Sequence, residues 1–144
     1  MRDQDNPEPR ALSVRQPWAQ LIVQGAKDVE NRSRSTRHRG RLYIHAATRL
    51  ACVPSARELL VKAHFPEGIS DLPRGAVIGT VDLIGCYPHG PDCVICRVSP
   101  WASEHYTWHW VLAHPVQFDA PAPMLGQMGV WSSAALAELS GSRV

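Results

Sequence analysis

The chain has 144 residues, 44% of them hydrophobic, enough to bury a single core without disulfides or a metal. Its opening MRDQDNPEPR holds no apolar run, and no later apolar stretch nears the roughly 20 residues that cross a bilayer, so a soluble, cytoplasmic, single-domain protein with no membrane partner is expected. The net charge of +2 excludes neither nucleic-acid binding nor ordinary enzymology, yet no acid lies between Asn31 and Arg57, where Arg32, Arg34, Arg37, Arg39, Arg41, Arg49 and Arg57 all fall.

Lys27 and Lys62 are the only lysines. Arginine's planar fork suits bidentate phosphate contacts and stacking on bases. A GC-rich genome also favours arginine, but codon bias does not empty a segment of acids.

In chain order, residues 1–10 are polar and proline-punctuated, as a mobile tail is. Residues 11–132 make the domain and 133–144 a short C-terminal helix or tail. Ala11 to Val14 reads as a strand. Pro17 suits a first helical position, and Trp18, Leu21, Ile22 and Gly25 fall at i, i+3, i+4 and i+7, one apolar stripe on a helix that stops at glycine. That stripe makes Trp18 a core anchor before a stacking platform.

From Lys27 the helical period is lost. If Asp28 to Arg32 is an extended edge strand, Glu30 and Arg32 share a face, and Lys27 joins them only through a turn near Asp28. RSRSTRHRGR is then a surface loop. Arg41 to Ala47 alternates, with Leu42, Ile44 and Ala46 on a dry face and Arg41, Tyr43 and His45 on a wet one.

Ser55 and Glu58 have capping-box spacing, and Ala56, Leu59, Leu60 and Ala63 form a second helical stripe closed by Pro66 and Gly68. Gly75 to Cys86 (GAVIGTVDLIGC) reads as a long strand bent or bulged at its glycines. Trp108 to Leu112 and Val116 to Phe118 read as two further strands.

The segments QPWA (Gln16 to Ala19), GAKDVENR (Gly25 to Arg32) and RGRLYIHA (Arg39 to Ala46), with WHWVLAHPVQF and PAPMLGQMGVW near the C-terminus, resemble the ASCH domain family, relatives of the PUA-like RNA-binding barrels. The resemblance covers about residues 12–131. It implies an α+β fold, a small PUA-like β-barrel with flanking helices. It also implies that the signature G-x-K-x-x-x-x-R, met by Gly25, Lys27 and Arg32 with Glu30 between, lines a nucleotide-binding cleft. The expected partner is RNA, another single-stranded nucleic acid or a modified nucleotide. Lys27, Glu30, Arg32, Arg34, Arg37, Arg39, Arg41 and Tyr43 are the candidate contacts.

Two other functions stay open. Small bacterial amidohydrolases of this family that act on N4-acetylcytidine use a lysine, a threonine three residues on and a distant glutamate. Lys27 matches the lysine, Glu30 stands at the threonine position, and no residue here is assigned as the glutamate. A hydrolase of RNA or acylated nucleosides would instead use Lys27 with Glu30, and His45 beside Arg41 and Tyr43 is a candidate base. An adaptor in transcription or translation regulation is the third reading. As a half-exposed ion pair, Lys27 and Glu30 would contribute only about 0–1 kcal/mol to stability.

Cys86, His89, Cys93 and Cys96 form a C-x2-H-x3-C-x2-C cluster with zinc-ligand chemistry. Only Gly90, Pro91 and Asp92 separate its two pairs, far fewer residues than in the usual zinc modules. Reduced thiols, no metal and no cofactor are expected, with a regulatory Cys93–Cys96 disulfide as the alternative.

Overall fold

The computed structural model describes residues 8–142. Its frame is one six-stranded sheet, curled into a half-barrel and carrying four helices. The strands are β1 (Ala11–Val14), β2 (Val29–Arg32), β3 (Gly40–Ala46), β4 (Ala76–Pro88), β5 (Trp108–Pro123) and β6 (Val130–Trp131), in the order β2-β5-β4-β3-β1-β6. β1 and β3 run parallel, and every other pair is antiparallel. The helices are α1 (Trp18–Val23), α2 (Glu58–His64), α3 (Ile95–Val98) and α4 (Ala134–Ser142).

The sheet curls because β4 carries irregularities on both edges. Its register slips between Val77 and Gly79, Thr80 and Asp82, and Leu83 and Gly85 against β5, while β3 slips between Ile44 and His45 against β4. Each slip adds local twist, as the glycine-interrupted sequence anticipates. β5 differs from expectation. The two strands read from the sequence are one, running through His114, whose φ of 51° absorbs a kink where a loop was expected.

The concave core joins Leu12, Val14, Leu42, Ile44, Val81 and Trp110 to Ala19, Ile22 and Val23 of α1. A second core lies on the other side of the sheet, where Ala11, Tyr43, Val77 and Trp131 pack with Leu136 of α4. That second core overturns the wet-face expectation for β3. Arg41 is exposed, but Tyr43 and His45 are buried. A third cluster, Leu21, Val29 and Trp101 with Leu60 and Phe65, seats α2 and the segment before β5.

The second helix also departs from its expected stripe. Ser55–Arg57 is a 3-10 turn without a side-chain cap, Leu59 is 84% exposed, and Val61 is the buried residue of α2. Residues 1–7 of the expected tail lie outside the described residues. The Arg10 carbonyl already accepts from the Tyr43 N–H at 2.9 Å. Within the segment expected to be a short C-terminal helix or tail, Ala134–Ser142 forms α4.

Candidate functional site

Gly25, at φ 85°, ends α1 in the left-handed conformation that glycine adopts freely. The N–H groups of Ala26 and Lys27 both donate to the Leu21 carbonyl at 3.0 Å. This turn carries Lys27 across to the face of β2 that bears Glu30 and Arg32. Lys27 Nζ donates to the Val29 carbonyl and, at 3.2 Å, to Glu30 Oε1. Arg32 donates to Glu30 Oε2 at 3.2 Å, and its guanidinium lies 5.8 Å from the Trp110 ring centroid. Both carboxylate oxygens of Glu30 are therefore engaged.

The half-exposed pair expected from the sequence is in fact buried, with Lys27 5% and Glu30 7% exposed. Burial pushes the Lys27 ammonium below its ordinary pKa, and the neighbouring Glu30 carboxylate pulls in the opposite direction.

These residues line a cleft of about 580 Å³. Arg15, which follows β1, and Arg57, which precedes α2, line it too, so among the described residues four cations meet a single carboxylate there. Trp18, Trp101 and Tyr106 supply aromatic surface. Trp18 is both core anchor and cleft wall, meeting Trp101 edge-on at 6.1 Å. Arg57 holds the Pro100 carbonyl at 2.5 Å and lies 5.2 Å from the Trp101 ring centroid.

The segment bearing Trp101 and Tyr106 is strapped to the Lys27 turn and to β2. Trp101 Nε1 donates to the Ala26 carbonyl at 2.9 Å, and Ser99 Oγ donates to Asp28 Oδ1 at 2.7 Å. Asn31 Nδ2 donates to the Trp101 carbonyl at 2.8 Å, while Asn31 Oδ1 accepts from the Ser103 N–H at 3.0 Å.

Not every expected residue converges here. Arg34, Arg37, Arg39 and Arg41 are exposed on or beside the loop between β2 and β3, and none lines the cleft. Arg39 folds onto its own loop, donating to the Thr36 and His38 carbonyls at 2.7 and 2.8 Å. Tyr43 packs against Phe118 at 6.3 Å in the second core. His45 lies against Trp131 and hydrogen-bonds Ser13 Oγ at 3.0 Å and the Met124 carbonyl at 2.8 Å. Neither meets Lys27. Sequence reasoning passed over Arg15 and Asn31 and gave Arg57 no role; the acid-free stretch that contains Arg57 was the signal available.

Among the cysteines, Cys93 and Cys96 are joined as a disulfide, whereas Cys52 and Cys86 are free. The thiols expected at Cys93 and Cys96 are thus oxidised here, and Cys86 packs against the concave core away from the pair.

The fold is shared with the ASCH protein of Zymomonas mobilis, at a TM-score of 0.62 and 15% identity, covering 95% of both chains. A single-substitution variant of that protein aligns at 0.61 and 16% identity over 94% of this chain and 97% of its own. Human Activating signal cointegrator 1 is 45% identical over 131 residues, 83% of this chain and 21% of its own length. The mouse protein of the same name is 44% identical over 80 residues, 52% of this chain and 14% of its own. The chain thus spans about a fifth or less of these curated relatives. A family model for the ASCH domain matches residues 12–122, and this chain belongs to the ASCH domain family.

Proposed function

We propose that the cleft binds single-stranded RNA, holding one nucleotide between the Lys27–Glu30–Arg32 chain and the aromatic wall. The observation that carries this reading is the convergence of Arg15, Lys27, Arg32 and Arg57 beside Trp18, Trp101 and Tyr106 in one cleft where Glu30 is the one acid among the described residues. Cations of this kind bind phosphate, and aromatic faces stack bases at about 1–3 kcal/mol each. The volume falls in the range of small-ligand sites, so a modified nucleotide fits the same chemistry. Arg34, Arg37 and Arg41 extend the basic surface along the loop that leaves β2, where flanking phosphates would run.

Hydrolysis of RNA or acylated nucleosides is the second reading, and the burial that lowers the Lys27 pKa favours it. Against it, both Glu30 oxygens are held by cations and His45 lies in another core. An adaptor role draws its support from the name of the human relative alone.

The test is anisotropy of labelled single-stranded RNA, single-stranded DNA and acylated and plain nucleosides, with product analysis on the same mixtures. Binding to RNA that is lost in the Arg15→Ala, Arg57→Ala double variant is expected. Product formation would favour the hydrolase, and no binding at low salt would overturn both readings.

A further inference from the structure

Outside the cleft, the β4–β5 connection gathers a second set of polar groups that the RNA reading does not use. His89 follows β4, its N–H donating to the Thr107 carbonyl at 2.8 Å, and His109 lies on β5 opposite Tyr87. The connection between them folds back so that Cys96 Sγ lies 3.3 Å from His89 Nδ1. His89 Nδ1 in turn lies 3.0 Å from His109 Nε2. Cys93 is bonded to Cys96, so its sulfur adjoins this group at the Cys96 corner.

The tautomer of His109 is fixed from behind. Asn31 Oδ1 is oriented by the Ser103 N–H and by the Nδ2 bond to Trp101, so His109 Nδ1, 2.7 Å from that oxygen, is the protonated nitrogen. The Nε2 lone pair then points into the cluster. His109 is fully buried, and a neutral imidazole with one free nitrogen is the form that ligates metals.

We propose that the reduced protein binds one zinc ion through His89 Nδ1, Cys93 Sγ, Cys96 Sγ and His109 Nε2. Zn–S bonds of about 2.3 Å and Zn–N bonds of about 2.0–2.1 Å give a tetrahedron with edges of about 3.3–3.8 Å. The 3.0 and 3.3 Å separations are close to those edges. The ligand set differs from the one that spacing suggested, because His109 takes the place of Cys86. Within the cluster, the Cys96 N–H already donates to Cys93 Sγ at 3.3 Å, a bond that steadies thiolate charge.

The disulfide and metal-bound states exclude each other. A dithiol reductant supplies two electrons and two protons, breaks the Cys93–Cys96 bond and becomes a disulfide itself. Zinc then displaces the two thiol protons. The ion would brace the connection that carries Trp101 and Tyr106, and Asn31 would link it to the cleft.

The test is elemental analysis of protein purified with a dithiol, together with Co²⁺ titration read by the visible bands of a tetrahedral thiolate–imidazole site. We expect a metal-to-chain ratio near one, retained in Cys86→Ser and lost in Cys93→Ser and in His89→Ala. His89 is exposed, so its substitution leaves the core intact. Disulfide-forming oxidants should release the metal and a dithiol should restore binding. Reduced, folded wild type that takes up no metal, or metal retained in Cys93→Ser, would overturn the proposal.

Discussion

Lys27 Nζ and Glu30 Oε1 lie 3.2 Å apart with both side chains almost wholly out of solvent. Arg32, 30% exposed at its side chain, closes the chain on the cleft side. A buried pair of this kind is costly to break and cheap to replace as a unit. Glu30→Gln should destabilise by up to about 3–5 kcal/mol, and Lys27→Met by less, because Arg32 still holds Glu30. The double variant should recover much of the loss while RNA binding stays impaired. Denaturant melts and anisotropy on the three proteins check this; strictly additive destabilisation would refute it.

His45 makes an acid-sensitive joint in the second core. The Met124 carbonyl can only accept, so His45 Nε2 is protonated and Nδ1 accepts from Ser13 Oγ, which itself accepts from Trp131 Nε1 at 3.1 Å. Burial holds the His45 pKa below its ordinary 6.5, against an upward pull from the Met124 carbonyl. Below 6.5 the unfolded chain therefore binds a proton that the native chain refuses, and stability falls with pH until the lowered native pKa is reached. His45→Gln should flatten that fall. Urea midpoints between about pH 7.5 and 5.5 decide it, and since His109 titrates in both proteins its share cancels in the difference. Equal slopes would count against this account.

What the sequence made legible were the elements whose signals are local. The 3.6-residue stripe of α1, the shared face of Glu30 and Arg32 on an edge strand, and the glycine-bent β4 all follow from spacing within one segment. Alternation along β3 marked two faces but not that both are dry, because the cover over Tyr43 and His45 comes from Phe118, Trp131 and Leu136 far along the chain. The α2 face was misread for the same reason, since Val61 is buried by neighbours that the local pattern does not name. Arg15 joins the cleft only because the fold brings the end of β1 and the residues of β2 to the same cleft, a fact of topology. Trp108 to Leu112 and Val116 to Phe118 read as two strands, but a single left-handed residue, His114, carries one strand through both.

Gly79 sets the depth at which α1 sits on the sheet. A Cβ there would run into the Val116 carbonyl oxygen and lie 2.8 Å from Val23 Cγ1. Gly79→Ala should cost about 3 kcal/mol, and the displaced helix would carry the Lys27 turn with it through Leu21. Gly141→Ala, with nothing within 4 Å of the added atom, should be neutral or slightly stabilising. Thermal melts of the two variants make the comparison; a tolerated Gly79→Ala would mean that α1 is not held by this contact.

The arginines divide into two groups that salt can tell apart. Arg15 and Arg57 line the cleft, while Arg37 and Arg41 are exposed outside it. If the cleft holds one nucleotide and the loop meets flanking phosphates, removing Arg15 and Arg57 should weaken a mononucleotide and a long oligomer alike. Removing Arg37 and Arg41 should spare the mononucleotide. Each lost phosphate contact reduces the log–log salt slope of single-strand binding by about 0.7, so this second double variant should lower the oligomer's slope by roughly 1.4. The measurement is a salt series on a short and a long RNA with both double variants. A long-oligomer slope unchanged by loss of Arg37 and Arg41 would confine recognition to the cleft, and a mononucleotide affinity unchanged by loss of Arg15 and Arg57 would remove the cleft as the binding site.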